Sequence, residues 1–99
     1  MKAILIRARE LIEQGWCRNA WARNELGKGV HENSSDACSW CLMGAINKAI
    51  KEKGYTYGIR LDISSVCKTI TLNGLIHFND NAKSKEEVTG LIDRMLETI

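Results

Sequence analysis

The chain has 99 residues, 44% of them apolar and 26% charged, the balance of one globular domain that can bury a single modest core. Its net charge of +2 is mixed along the chain, so nucleic acid is not the expected partner; that would call for a concentrated basic face. No apolar run is long enough to span a membrane. Arg7, Arg9 and Glu10 break the opening "MKAILIRARELIEQ" too early for a secretory leader, so the expectation is a cytoplasmic chain whose four cysteines are reduced.

Ile4, Ala8, Leu11 and Ile12 recur at helical spacing and predict a helix over 2–14, with Gly15 as its left-handed stop and Trp16 folding back on Leu11. The segment 17–33, "CRNAWARNELGKGVHEN", alternates roughly around "NELGKG" and reads as a short β-hairpin with a four-residue turn, or else as a loop. A second helix is expected from a cap at Ser35 or Asp36. Cys38, Cys41, Leu42, Ala45, Ile46, Ala49 and Ile50 would form its buried stripe, and Gly54 its end. A third helix is expected from an Asp62 cap to about residue 72, although the β-branched "TITL" pulls toward strand. Asn73-Gly74 breaks it, leaving a short helical piece through Phe78 and a corner at "FNDNAKS". Ser84 and Glu87 make a capping box for a last helix, striped by Val88, Leu91, Ile92, Met95 and Leu96. The expected fold class is mainly α: a compact bundle of about four helices in one domain, 1–99, with a small hairpin or loop after the first.

Three constellations carry possible chemistry. Cys38 and Cys41 have zinc-ligand spacing, and Cys17 with His31 or His77 would complete four ligands. Cys41 or Cys38 with His77, Asn79 and Asp80 contains the residue types of a thiol enzyme, with a helix start to lower the thiol pKa. Against both, free cysteine is a small hydrophobe that favours burial, and no Gly-rich oxyanion loop is in sight. The third is aromatic. Trp16, Trp21 and Trp40 lie within 25 residues, and Trp21 sits in the hairpin between Arg18 and Arg23. Tryptophan anchors interfaces, and arginine beside it can stack a base.

The order of "ARELIEQGWC", "AWARNELGKGV", "WCLMGAI", "FND" and "SKEEVTGLIDRML" resembles the domain-of-unknown-function family numbered 6197, short bacterial and phage proteins. The resemblance spans nearly the whole chain and falls on Gly15, Trp16, Trp40, Cys41, Gly44, Ala45, Asn79, Asp80 and the final capped helix. It implies a helical domain with a hairpin after the first helix and brings no established activity. Cys38 and His77 lie outside the shared pattern, which weakens the zinc and thiol-enzyme readings. By analogy it implies a phage-borne effector that binds a host defence protein or a nucleotide-like ligand.

The leading expectation is therefore a binding protein, more a partner-seeker than an enzyme, needing no cofactor and able to self-associate. Its binding residues would be Arg18, Trp21, Arg23, Trp40, Asn79 and Asp80. The alternatives are a cysteine enzyme using Cys41 or Cys38 with His77 and Asp80, and a zinc-stapled module on Cys17, Cys38, Cys41 and His31. Against the zinc and thiol readings, Cys38 and Cys41 are expected to be two positions on one buried helical face.

Overall fold

A computed structural model describes residues 1–99. The chain runs α1 (Lys2–Gln14), β1 (Ala22–Arg23), β2 (Gly29–Val30), β3 (Ser39–Trp40), α2 (Leu42–Lys53), α3 (Ile59–Thr71), α4 (Leu75–Asn81) and α5 (Lys85–Thr98). It is mainly helical, as the periodicities predict, with five helices rather than four and a third strand that the sequence did not announce. Its extents are 36 × 31 × 17 Å, a slab about two helices thick. No helix is long and apolar enough to cross a membrane.

α1 buries Ile4, Leu5, Ala8, Leu11 and Ile12 against α2 and α5, as its stripe requires. Its outer edge carries two ion pairs, Arg7 to Glu52 on α2 at 2.8 Å and Arg9 to Asp93 on α5 at 2.8 Å. Both are partly exposed, so each contributes no more than about 1 kcal/mol. Gly15 ends the helix in extended backbone at φ −177°, not in the left-handed region expected. Its lack of a side chain serves close approach instead: a Cβ there would lie 2.2 Å from the Cys38 carbonyl oxygen.

The hairpin forms. Ala22 pairs with Val30 and Arg23 with Gly29, and Asn24 holds the turn by accepting from the Leu26 and Lys28 amides at 3.0 Å each. The turn is five residues long, 24–28. β1 is then the middle strand of a sheet ordered β2-β1-β3, with Ala22 opposite Trp40 and Arg23 opposite Ser39. Residues 15–17 close the other side of β3. The Trp40 amide donates to Gly15 O at 3.0 Å, and the Cys17 amide donates to Trp40 O at 3.2 Å.

That third strand corrects the expected start of the second helix. Residues 38–40 have unpaired neighbours to hydrogen-bond with on both sides, and that tertiary pairing overrides a Ser35 or Asp36 cap. α2 instead begins at Leu42 with Cys41 as its N-cap, whose Sγ accepts from the Gly44 amide at 3.2 Å. Cys38 and Cys41 therefore do not share a helical face: Cys38 is exposed and Cys41 buried. The C-terminal end of α2 is as read, with Gly54 left-handed at φ 76° and the Tyr55 amide returning to Ile50 O.

α3 starts at Ile59, earlier than an Asp62 cap would give, and "TITL" stays helical through Thr71. The break at Asn73-Gly74 is real, but the piece that follows runs on to Asn81, so Asn79 and Asp80 sit on α4 and not in a corner. α5 is capped by Ser84, whose Oγ accepts from the Glu87 amide. The Glu87 carboxylate reaches back to the Lys83 amide, one residue before the cap. Behind these elements lies one continuous apolar core, including Ile63 and Cys67 of α3, Leu75 of α4 and Met95 of α5.

Candidate functional site

The segment between α1 and β1 is tied down residue by residue. Cys17 O accepts from Asn79 Nδ2 at 3.1 Å, Arg18 Nη1 donates to Ala82 O at 3.1 Å, and the Asn19 amide donates to Asp80 Oδ1 at 3.0 Å. The last bond holds Asn19 left-handed, at φ 62°, a conformation asparagine tolerates better than most residues. At the end of this segment, Trp21 O accepts from the Cys41 amide at 3.1 Å. The same carbonyl rests on Gly44, where a Cβ would lie 2.1 Å from it. Trp21's backbone is thus clamped to the first turn of α2, and its side chain faces outward, 46% exposed.

Beneath that indole lies a cleft of about 490 Å³, lined by Asn19, Ala20, Trp21, Cys41, Ile76 and Asp80. Ile76, also 46% exposed, projects from α4 and shares the cleft's apolar side with Trp21 and Ala20. Asp80 is its only carboxylate. Oδ1 accepts from the Asn19 amide and from Asn79 Nδ2, while Oδ2 has no protein partner. Trp16 and Trp40 donate their indole N–H groups to Asn79 Oδ1 and Glu32 O; that of Trp21 has no protein acceptor.

Asn79 lies behind the cleft and is completely buried. Its Oδ1 accepts from Trp16 Nε1 at 2.8 Å and from the Leu42 amide at 3.0 Å, while its Nδ2 donates to Cys17 O and Asp80 Oδ1. One amide side chain joins α4, the segment after α1 and the start of α2. Its expected role in binding is corrected on that ground: it has no free polar atom to offer a ligand.

Trp40 is corrected likewise, being buried at 4% exposure with its N–H on Glu32 O. Arg23 braces the hairpin, donating to Gly27 O at 2.8 Å and to Arg18 O at 3.0 Å, and Arg18 lies over Trp16 at 5.7 Å. Neither guanidinium lines the Trp21 cleft. Of the six expected binding residues, the structure brings Trp21 and Asp80 together on one concave surface.

The alternative chemistries meet different obstacles. Cys41 lines the cleft beside Asp80, but burial pushes its thiol up to about 11, with the Gly44 amide offsetting only part of that. Burial also raises the thiols of Cys17 and Cys67. His77 is exposed on another groove, of about 440 Å³, with Phe78, Glu86, Glu87 and Arg94. Cys41, His77 and Asp80 therefore do not line one cleft: positions 76 and 80 face one side of α4 and 77 and 81 the other. For zinc, no three His, Cys, Asp or Glu side chains come together in metal-binding geometry, so Cys17, Cys38, Cys41 and His31 do not form a ligand set. His31 is exposed and turned to its own neighbours, its Nδ1 accepting from the Asn33 amide.

The model of the Family of unknown function (DUF6197) matches residues 1–98. The chain belongs to that family. No curated protein and no solved structure matches it. Within this DUF6197 chain, the residues missed by sequence reasoning are Ile76 and Asn19. Ile76 lies in the short helical piece expected through Phe78, where nothing in the sequence marks its face as the wall of a cleft. Gly44 is a small residue that lets another element pack close, and that element is the Trp21 carbonyl.

Proposed function

We propose that the chain is a binding protein with no chemistry of its own, which seats a partner protein in the Trp21 cleft. In a phage-borne setting that partner is a host protein. The observation that carries the reading is the mounting of Trp21, whose backbone is fixed by the Cys41 amide and by Gly44 while the residue stays exposed to solvent. Burying an exposed tryptophan in a partner is among the strongest single contributions to an interface, and an anchor already held in place loses little entropy on binding. A nucleotide-like ligand is supported less, because Arg18 and Arg23 are turned to other tasks and the cleft's only charged side chain is Asp80. A thiol enzyme is supported less again, with Cys41 protonated at neutral pH and His77 on another groove.

The test is affinity capture from host lysate on immobilised wild-type chain, Trp21→Ala and Ile76→Asp, with folding of each checked by circular dichroism. Proteins retained by wild type are expected to be lost from both variants. Retention that both folded variants leave unchanged refutes the reading.

A further inference from the structure

Resting on the Trp21 cleft as the binding site, we infer that its occupant is a lysine or arginine side chain of a partner protein, held between the Trp21 ring and the Asp80 carboxylate. The chemistry of the lining selects that guest. The apolar surface of Trp21, Ile76 and Ala20 accepts an alkyl stem. The face of an indole attracts a cation. Asp80 is the cleft's only charged lining side chain, enters no ion pair with a protein cation, and keeps Oδ2 unpartnered beside that surface. An anionic guest meets this carboxylate with no compensating cation, and a purely apolar guest leaves it facing a desolvated surface. A guest with an apolar stem and a cationic head satisfies both halves. The free indole N–H of Trp21 offers a further donor, which suits a peptide carbonyl next to the guest residue.

The experiment is a nuclear magnetic resonance titration of the intact ¹⁵N-labelled chain, following the Trp21 indole N–H and the Asn19 and Ile76 amides. The probes are N-acetyl-arginine methylamide, N-acetyl-lysine methylamide, the uncharged citrulline and norleucine counterparts, and adenosine monophosphate. The arginine and lysine probes are expected to shift these signals. Asp80→Asn, which keeps an Oδ1 acceptor for the Asn19 amide, is expected to weaken them about fivefold, the worth of one partly exposed charge pair. Trp21→Ala is expected to abolish the shifts at Asn19 and Ile76. The inference is overturned if norleucine or citrulline binds as well as its charged counterpart, if Asp80→Asn changes nothing, if adenosine monophosphate binds in preference, or if no probe shifts these signals. Signals that move on simple dilution assign the cleft to a second copy of this chain and overturn it too. Capture lost from Trp21→Ala while norleucine matches the charged probes leaves the cleft a binding site and removes only the cationic guest.

Discussion

Replacing Gly44 by alanine tests the clamp beneath Trp21. In a free helix the change is favourable by up to about 1 kcal/mol, because glycine loses more backbone entropy than alanine. Here the new Cβ would stand 2.1 Å from Trp21 O, 3.0 Å from its carbonyl carbon and 3.4 Å from its Cα. Carbon atoms attract at about 3.5–4.0 Å, so the segment carrying Trp21 must retreat by roughly 1 Å or more. That retreat costs about 1–3 kcal/mol of packing and weakens the Cys41 amide bond to Trp21 O, worth about 1 kcal/mol. The net expectation is destabilisation by about 1–3 kcal/mol, read as a lower urea midpoint, with Tm falling by roughly 4–8 °C for each kcal/mol in a domain of this size. Gly90→Ala is the internal control. It lies inside α5 with no heavy atom within 4 Å of its added Cβ, and is expected to stabilise by up to about 1 kcal/mol. Equal stability of Gly44→Ala and wild type, or a shift of the same sign as Gly90→Ala, would refute the clamp.

Three further outcomes follow from the geometry. Asn79→Ala strands the Trp16 indole N–H, the Leu42 amide and Cys17 O, and is expected to cost about 3 kcal/mol or more in urea denaturation; a loss under about 1 kcal/mol would contradict its joining role. Brief treatment of the native chain with iodoacetamide at neutral pH is expected to label Cys38, which is exposed, and to spare Cys41, whose thiol stays protonated up to about 11; fast labelling of Cys41 would revive the thiol-enzyme reading. The Arg9 hydrogen bonds hold the Asp93 carboxyl below its ordinary range, so the pair's contribution is present above about pH 4 and lost as pH falls through the folded-state value. Asp93→Asn is accordingly expected to cost well under 1 kcal/mol at neutral pH and to flatten the acid limb of the stability curve slightly; an unchanged acid limb would count against the pair.

The helices were legible where one face is buried by local periodicity. Ile4 to Ile12 and Val88 to Leu96 print the 3.6-residue repeat directly, and Ser84 with Glu87 marks a start. Legibility failed where distant partners decide. Residues 38–40 contain a reasonable helix start, and only the simultaneous presence of β1 and residues 15–17 makes them a strand. The same pairing turned Cys41 from a stripe residue into a cap. For the candidate site, Trp21 could be picked out because a large aromatic beside a short hairpin has few places to hide. Asn79 could be picked out by type but not by role, since an asparagine that binds a ligand and one that joins three chain segments read alike.

Trp21 immediately precedes the middle strand of the sheet, and the hairpin tip that follows is nearly free of the rest, with Leu26 at 92% exposure. The exposed tryptophan is held by the Cys41 amide, by Gly44 and by the ties of residues 17–19 to α4, none of which involves residues 25–28. Sequence change between residues 25 and 28 can therefore accumulate, lengthen or shorten without moving the tryptophan. A fold wired this way holds the exposed tryptophan in place while leaving the neighbouring surface open to substitution.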